Sequence, residues 1–195
     1  MTERYVSYWQ RLDDLESRLS LDLAGQLGDI EARLSSRLDA LSSNVRPVPK
    51  QTFVLKSVLD QALETAMSLL RADRGNVQIA DPATGALRIA AQAGFSAEFL
   101  EYFAVVDDEA SACGRAATNL AQIVIPDVTT EPGFAAHRDI AAASGFRAVQ
   151  STPLIDSAGV LRGVLSTHYR EPYQPPAHDL EVMRRLGLLV GHVIG

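Results

Sequence analysis

The chain has 195 residues, 47% hydrophobic and 22% charged, which is enough apolar mass for a folded core and too much for a disordered tail. A single cysteine, Cys113, excludes an intrachain disulfide and a cysteine-rich metal site, and suits a reducing, cytoplasmic setting. The net charge of −6 exerts no general pull toward nucleic acid or an anionic membrane, and neither is expected as a partner. No apolar run approaches the roughly 20 residues of a membrane span, and Met1-Thr2-Glu3-Arg4 does not open a signal peptide.

Residues 1–45 contain no proline and carry a leucine stripe: Leu12, Leu15, Leu19, Leu23, Leu27, Ile30, Leu34, Leu38 and Leu41. The steps of three and four average about 3.6, the helical period, so the stripe keeps to one side of a nearly straight helix. Such a helix would be on the order of 60 Å long. A compact domain cannot cover so long and narrow a stripe, and the economical partner is the same helix of a second chain, which predicts a homodimer. Gly25 and Gly28 weaken the helix and leave a folded-back hairpin open. The prolines of Arg46-Pro47-Val48-Pro49-Lys50 mark residues 46–52 as a linker, and 53–195 as the globular domain.

Phe53 to Ala72 reads as a helix with a wide apolar face. The period then changes to two: Asn76–Ala80 and Leu87–Ala91 alternate like strands around Asp81-Pro82-Ala83-Thr84-Gly85, a hairpin signal. Short helices follow at Phe95–Phe103 and Cys113–Thr118, then a strand at Gln122–Ile125 and an alanine-rich helix from Phe134 to Ser144, stopped by Gly145. Ala148–Ile155 and Val160–Tyr169 form a second hairpin, and His178–Ile194 a last helix. The order predicts an α+β fold: an antiparallel sheet with helices on both faces, joined by hairpins rather than crossovers.

Several of these segments resemble, in order and spacing, those of GAF domains. Residues Asn76 to Phe95 look like the first hairpin of that family, and Ala112-Cys113-Gly114-Arg115-Ala116-Ala117 with Val124-Ile125-Pro126-Asp127-Val128 like its central helix and strand. Phe146 to Leu154 and Gly159 to Tyr169 resemble its closing hairpin. The likeness runs from about residue 53 to the C-terminus and is greatest to GAF modules of bacterial two-component histidine kinases. It implies a small-molecule sensor or signalling module, dimeric through its terminal helices. The implied fold is a sheet of five or six strands, with terminal helices on one face and a pocket on the other. A separate signalling protein, such as a histidine kinase, is an expected partner. The resemblance names no ligand or cofactor, because one fold serves many ligands.

The candidate pocket residues are Phe95, Phe99, Cys113, Asp127, Phe134, His137, Ser151, Thr167 and Tyr169. Alternation in the closing hairpin yields two polar sets: Ser151, Thr167 and Tyr169 against Gln150, Thr152, Ser166 and His168. Family analogy favours the odd-numbered set as pocket-facing, with hydrogen bonding inside the sheet as the alternative. Phe95, Phe99, Phe103 and Phe134 suit a core or a pocket lid. Cys113, at the start of a short helix, invites a thiol reading, because a helix N-terminus lowers a thiol pKa. Its position is similar to one cysteine of the GAF-type free methionine sulfoxide reductases, which need a second, resolving cysteine; this chain has Pro132-Gly133-Phe134-Ala135-Ala136-His137 in that stretch. His137, His168, His178 and His192 never stand four apart or beside cysteine, so no metal site is expected. The cyclic-nucleotide signature, the bilin-attachment cysteine, nucleotide-binding loops and hydrolase motifs are not recognisable. Three readings result: a non-enzymatic ligand sensor, a Cys113 redox switch or reductase-like enzyme, and an interaction module whose own side chains close the pocket.

Overall fold

The computed structural model describes residues 50–195, together with Ala32, Arg33 and Ser36, which are helical and exposed. The chain divides at residues 44 and 45 into two units. The leucine stripe of residues 12–41 as a packed surface, and the linker residues 46–49, lie outside the described residues.

In the second unit, α1 (Lys50–Leu70) is followed by β1 (Arg74–Ala80), β2 (Leu87–Ala93), α2 (Ala97–Tyr102), α3 (Ala112–Asn119) and β3 (Ile123–Ile125). A 3₁₀ turn (Pro132–His137) leads into α4 (Arg138–Ser144), then β4 (Ala148–Ile155), β5 (Leu161–Tyr169) and α5 (Ala177–Ile194). The first helix begins at Lys50, inside the stretch predicted as linker. Pro49 restricts only what comes before it and tolerates a helix after it. The alanine-rich segment is not one α-helix either. The tight 3₁₀ spacing of three residues lets Phe134 and His137 turn inward together, and both are buried.

The five strands form one antiparallel sheet in the order β2-β1-β5-β4-β3. One face carries the terminal helices. α1 buries Val58, Leu59, Ala62, Leu63 and Ala66, and a Cβ placed at Gly75 of β1 would collide with Leu63. α5 buries Val182, Met183, Leu186 and Val190, and its Gly187 lies against Thr152 and the Pro153 carbonyl of β4. The other face is covered by α2, α3, the 3₁₀ turn and α4. Its apolar core includes Leu87, Phe99, Phe103, Ile125, Phe134, Phe146, Val149 and Val164. Side-chain hydroxyls start the short helices: Ser96 accepts from the Phe99 amide and Ser111 from the Gly114 amide at 3.0 Å.

The closing hairpin contains the feature that orients the whole sheet. Near the turn Ile155 pairs with Leu161, but one residue further Leu154 pairs with Gly163, so Arg162 is an extra, bulged residue. Its side chain is tied to Asp156, Nε to Oδ2 at 2.8 Å, and Asp156 Oδ1 also accepts the Ala158 and Val160 amides. Next to the bulge, Gly163 sits so close to β1 that a Cβ there would lie 2.2 Å from the Gln78 carbonyl oxygen. Gly163→Ala should therefore push β5 away from β1 and cost about 1–3 kcal/mol, read as a lowered urea midpoint. A midpoint within error of the parent would show that the strands do not approach this closely.

Candidate functional site

The inner face of the sheet is polar where the outer layer is aromatic. Paired residues of antiparallel strands point to the same side. Asn76 of β1 pairs with Ser166 of β5, and Ser166 pairs with Ser151 of β4, giving a cross-strand row; the two serine hydroxyls are 2.8 Å apart. His168 stands two residues along β5 and Gln78 two residues along β1 on the same face. These five residues form the floor of a buried cavity of about 20 Å³, room for about one water. Phe99, Phe103, Phe134 and Phe146 wall it, with Val149, Ala112, Ser111 and Cys113 completing the lining. Phe95 lies outside the lining; it stacks on Phe99 with centroids 3.7 Å apart and meets the His168 ring edge-on at 4.9 Å.

The floor is under-satisfied. Asn76 Oδ1, both amide atoms of Gln78 and His168 Nδ1 are buried without a hydrogen-bond partner in the protein. Each such atom costs about 1–3 kcal/mol. No aspartate, glutamate, lysine or arginine lines the cavity. Burial, with Arg74 adding a like charge, holds His168 neutral and depresses its pKa to about 3.

Of the residues singled out from the sequence, Phe99, Cys113, Phe134 and Ser151 come together here, with Phe95 behind Phe99. Thr167 and Tyr169 do not. They lie on the opposite face, where Thr167 Oγ1 donates to Gln150 Oε1 at 3.2 Å and the Tyr169 ring packs on Tyr173. The pairing of Ser151 with Ser166 rather than an odd-numbered residue corrects the expected set: the Arg162 bulge adds one residue to β5 and exchanges its faces. Asp127 is also elsewhere. Its carboxylate takes the Arg147 guanidinium, with Nε at 3.1 Å, together with the Thr129 amide and hydroxyl, which holds its pKa well below the carboxylate range. It clamps the turn after β3. His137 packs on Phe103 and Phe134 and has its Nδ1 3.0 Å from the Tyr102 hydroxyl, without lining the cavity.

Asn76 and Gln78 are floor residues that the sequence reading did not single out, and Ser166 and His168 are ones it assigned to the face away from the pocket. Asn76 and Gln78 left a signal: two amides at i and i+2, flanking Val77, in a strand that after Arg74 is otherwise built of small and apolar residues. Cys113 is the second residue of α3, but burial dominates and raises its thiol pKa despite the helix N-terminus and Ser111 Oγ at 3.3 Å. Among the described residues, no three His, Cys, Asp or Glu side chains come together as a metal site would require.

The GAF domain family model matches residues 54–194. Among solved structures, a domain assigned to a two-component sensor histidine kinase from Sinorhizobium meliloti is 18% identical with a TM-score of 0.57, covering 70% of this chain and 87% of its own. The GAF domain of a phosphoenolpyruvate-protein phosphotransferase from Coxiella burnetii is 16% identical, TM-score 0.63, covering 84% and 89%. A type II free methionine-R-sulfoxide reductase from Thermoplasma acidophilum is 12% identical, TM-score 0.62, covering 74% and 94%. At these identities the likeness is one of fold. No curated protein sequence matches the chain.

The neutral, buried histidine makes stability depend on pH. The unfolded chain takes up a proton near pH 6.5 that folded His168 refuses until about 3, so its contribution is complete above about 6.5 and falls as pH drops. His137, also lowered by burial, acts in the same direction. Asp127, Asp156 and Glu181, all lowered, lose their contributions only further down, below about pH 4. Between pH 6 and 4.5 the unfolding free energy should drop, with a limiting slope of about 1.4 kcal/mol per pH unit from His168. His168→Gln should remove that part of the slope. A flat wild-type profile over this range would mean that His168 is not held neutral.

Proposed function

The chain belongs to the GAF domain family, a family of signalling and ligand-binding modules, and from that membership we propose that it is a small-molecule sensor without catalysis of its own. The observation that carries this reading is the cavity floor. Four polar atoms on Asn76, Gln78 and His168 are gathered on one cavity floor, buried without protein partners, and a ligand would satisfy them together. This also sets the sensor above the closed interaction module, whose interior would be complete in itself.

The strands of the floor carry a hydrogen-bonded run on their other face. Thr167 donates to Gln150, Gln150 to Thr152, and Gln122 Nε2 to both Thr152 Oγ1 at 3.1 Å and the Leu180 carbonyl of α5 at 2.9 Å. A ligand that preferred one arrangement of Ser151 and Ser166 would thus bias the seat of α5 through side chains one residue away, a population shift. Output to a separate signalling protein such as a histidine kinase fits this route, as does a cytoplasmic address for a chain with one cysteine. Among the described residues no helix is long and apolar enough to cross a membrane.

Thiol chemistry is the second reading, favoured by Cys113 in the cavity lining and by the fold likeness to a free methionine-R-sulfoxide reductase. It is weakened by the raised thiol pKa, which leaves little thiolate as nucleophile at neutral pH, and by the lack of any other cysteine as a resolving partner.

Thermal shift against a metabolite library, with native mass spectrometry of hits, tests the sensor. A true ligand raises Tm with concentration, by about 2.7 kcal/mol of stabilisation at a hundredfold excess over Kd. Ser166→Val, which fills the cavity and removes a floor hydroxyl, should abolish that shift. Stabilisation persisting undiminished in the variant would place the binding elsewhere.

The dimer proposed for residues 1–45 has its own readout. The full chain should sediment as a dimer at micromolar concentration, and Leu19→Asp with Leu27→Asp should give a monomer. A monomeric parent would remove the dimer from this proposal.

A further inference from the structure

The orphaned groups also restrict what the cavity can accept, an inference that rests on the pocket reading above. Gln78 is wholly buried in β1, and neither its Oε1 nor its Nε2 has a partner. Its neighbours across the sheet on this face, Val164 of β5 and Ile89 of β2, offer it no side-chain polar group. A primary carboxamide presents one acceptor and one donor side by side in a single plane. One molecule satisfies both only by offering a donor next to an acceptor on a rigid edge, as when Gln or Asn pairs bidentately with a base edge.

The surroundings narrow the choice further. Asn76 Oδ1 and His168 Nδ1 add two more unpartnered atoms on the same floor. Phe99, Phe103, Phe134 and Phe146 supply the walls, and Phe99 and Phe134 each meet Phe146 close to edge-on, at 80° and 75°. Aromatic faces and edges in this arrangement favour a flat guest. No formally charged side chain lines the cavity. Arg115, next along α3, lies outside the lining; it gives Nη1 to Glu131 at 3.1 Å and keeps Nε and Nη2 buried without a partner, while Arg74 gives Nε and Nη1 to the Gly94 and Gly145 carbonyls. A phosphate or carboxylate on this floor would meet no charged side chain in the lining itself, and burial of an unpaired charge is unfavourable.

The geometry points to a small, neutral, planar ring bearing a cis-amide edge, of the lactam or free-nucleobase class, bound with that edge against the Gln78 carboxamide and its face among the phenylalanines. The cavity in its present shape, about 20 Å³, is smaller than such a ring. Admission therefore requires movement of the lid. α2 is only six residues long, follows Gly94 at φ +84°, and presents Phe99 to the cavity with Phe95 stacked on its outer side, so it is the element suited to move.

The test uses the full chain labelled with ¹⁵N, titrated by NMR and calorimetry. The probes are uracil and hypoxanthine as neutral cis-amide rings, benzene as a ring without the edge, and benzoate and uridine 5′-monophosphate as anions. The expected result is that the two neutral bases bind about tenfold or more tighter than benzene or either anion, the worth of a bidentate pair, and shift the Gln78 side-chain NH₂ resonances. Gln78→Leu should remove that margin while leaving benzene binding in place. If this variant fails to fold, the Gln78 resonances of the parent chain decide the question by themselves. Bases binding no better than benzene, or an anion binding tightest, would overturn the ligand class while the pocket reading stands. No probe shifting any resonance of the cavity lining would overturn this inference, and an equally blank metabolite library would then sink the pocket reading as well.

Discussion

The parity of β5 rests on one bulged residue. Without Arg162 as an extra residue, the pairing of Ile155 with Leu161 would continue up the hairpin and match odd-numbered residues with odd. Thr167 and Tyr169 would then share a face with Ser151. With the bulge, Ser166 and His168 share it instead, and the hydroxyl and imidazole of β5 join the amides of β1 over one small volume. Asp156 stabilises this arrangement by holding both the turn amides and the Arg162 guanidinium. Gly163 lets β5 reach β1 immediately afterward. The polar floor, the run of hydrogen bonds on the opposite face, and the packing of α5 on β4 all inherit their orientation from this register.

The two faces of the sheet solve the buried-polar problem differently. Beneath the terminal helices, Gln150, Thr152, Thr167 and Gln122 satisfy one another and end on a helix carbonyl. Such a closed network stiffens the sheet and is costly to rearrange. On the inner face the serines satisfy each other, but Asn76, Gln78 and His168 keep unpaired atoms among phenylalanines. A core selected for stability alone would place apolar residues there. The contrast within one sheet argues that the inner face is arranged for something other than its own cohesion.

Much of the architecture is legible along the chain because it depends on local periods. The change from a period near 3.6 to one of two, the turn residues at Asp81–Gly85 and Asp156–Gly159, and the stops at Gly94 and Gly145 place the elements to within a few residues. The exceptions have local causes of their own: a helix that starts directly after Pro49, and a 3₁₀ turn where Pro132 and Gly133 precede the alanines. The phenylalanine walls are legible too, since Phe99 and Phe134 sit on inward positions of their segments.

The chemistry of the floor is a different matter. Alternation divides each strand into two faces, but which face of one strand meets which face of the next is a property of pairing, and a single inserted residue reverses it. Burial likewise belongs to the assembled domain. It raises the thiol pKa of Cys113 despite its place at a helix start and keeps His168 uncharged, while a salt bridge holds Asp127 outside the cavity. Local order and family kinship were thus determined by the sequence itself, because neighbours along the chain decide them. The composition of the cavity was decided only in three dimensions, because residues 76, 78, 151, 166 and 168 become neighbours solely through the register of three strands.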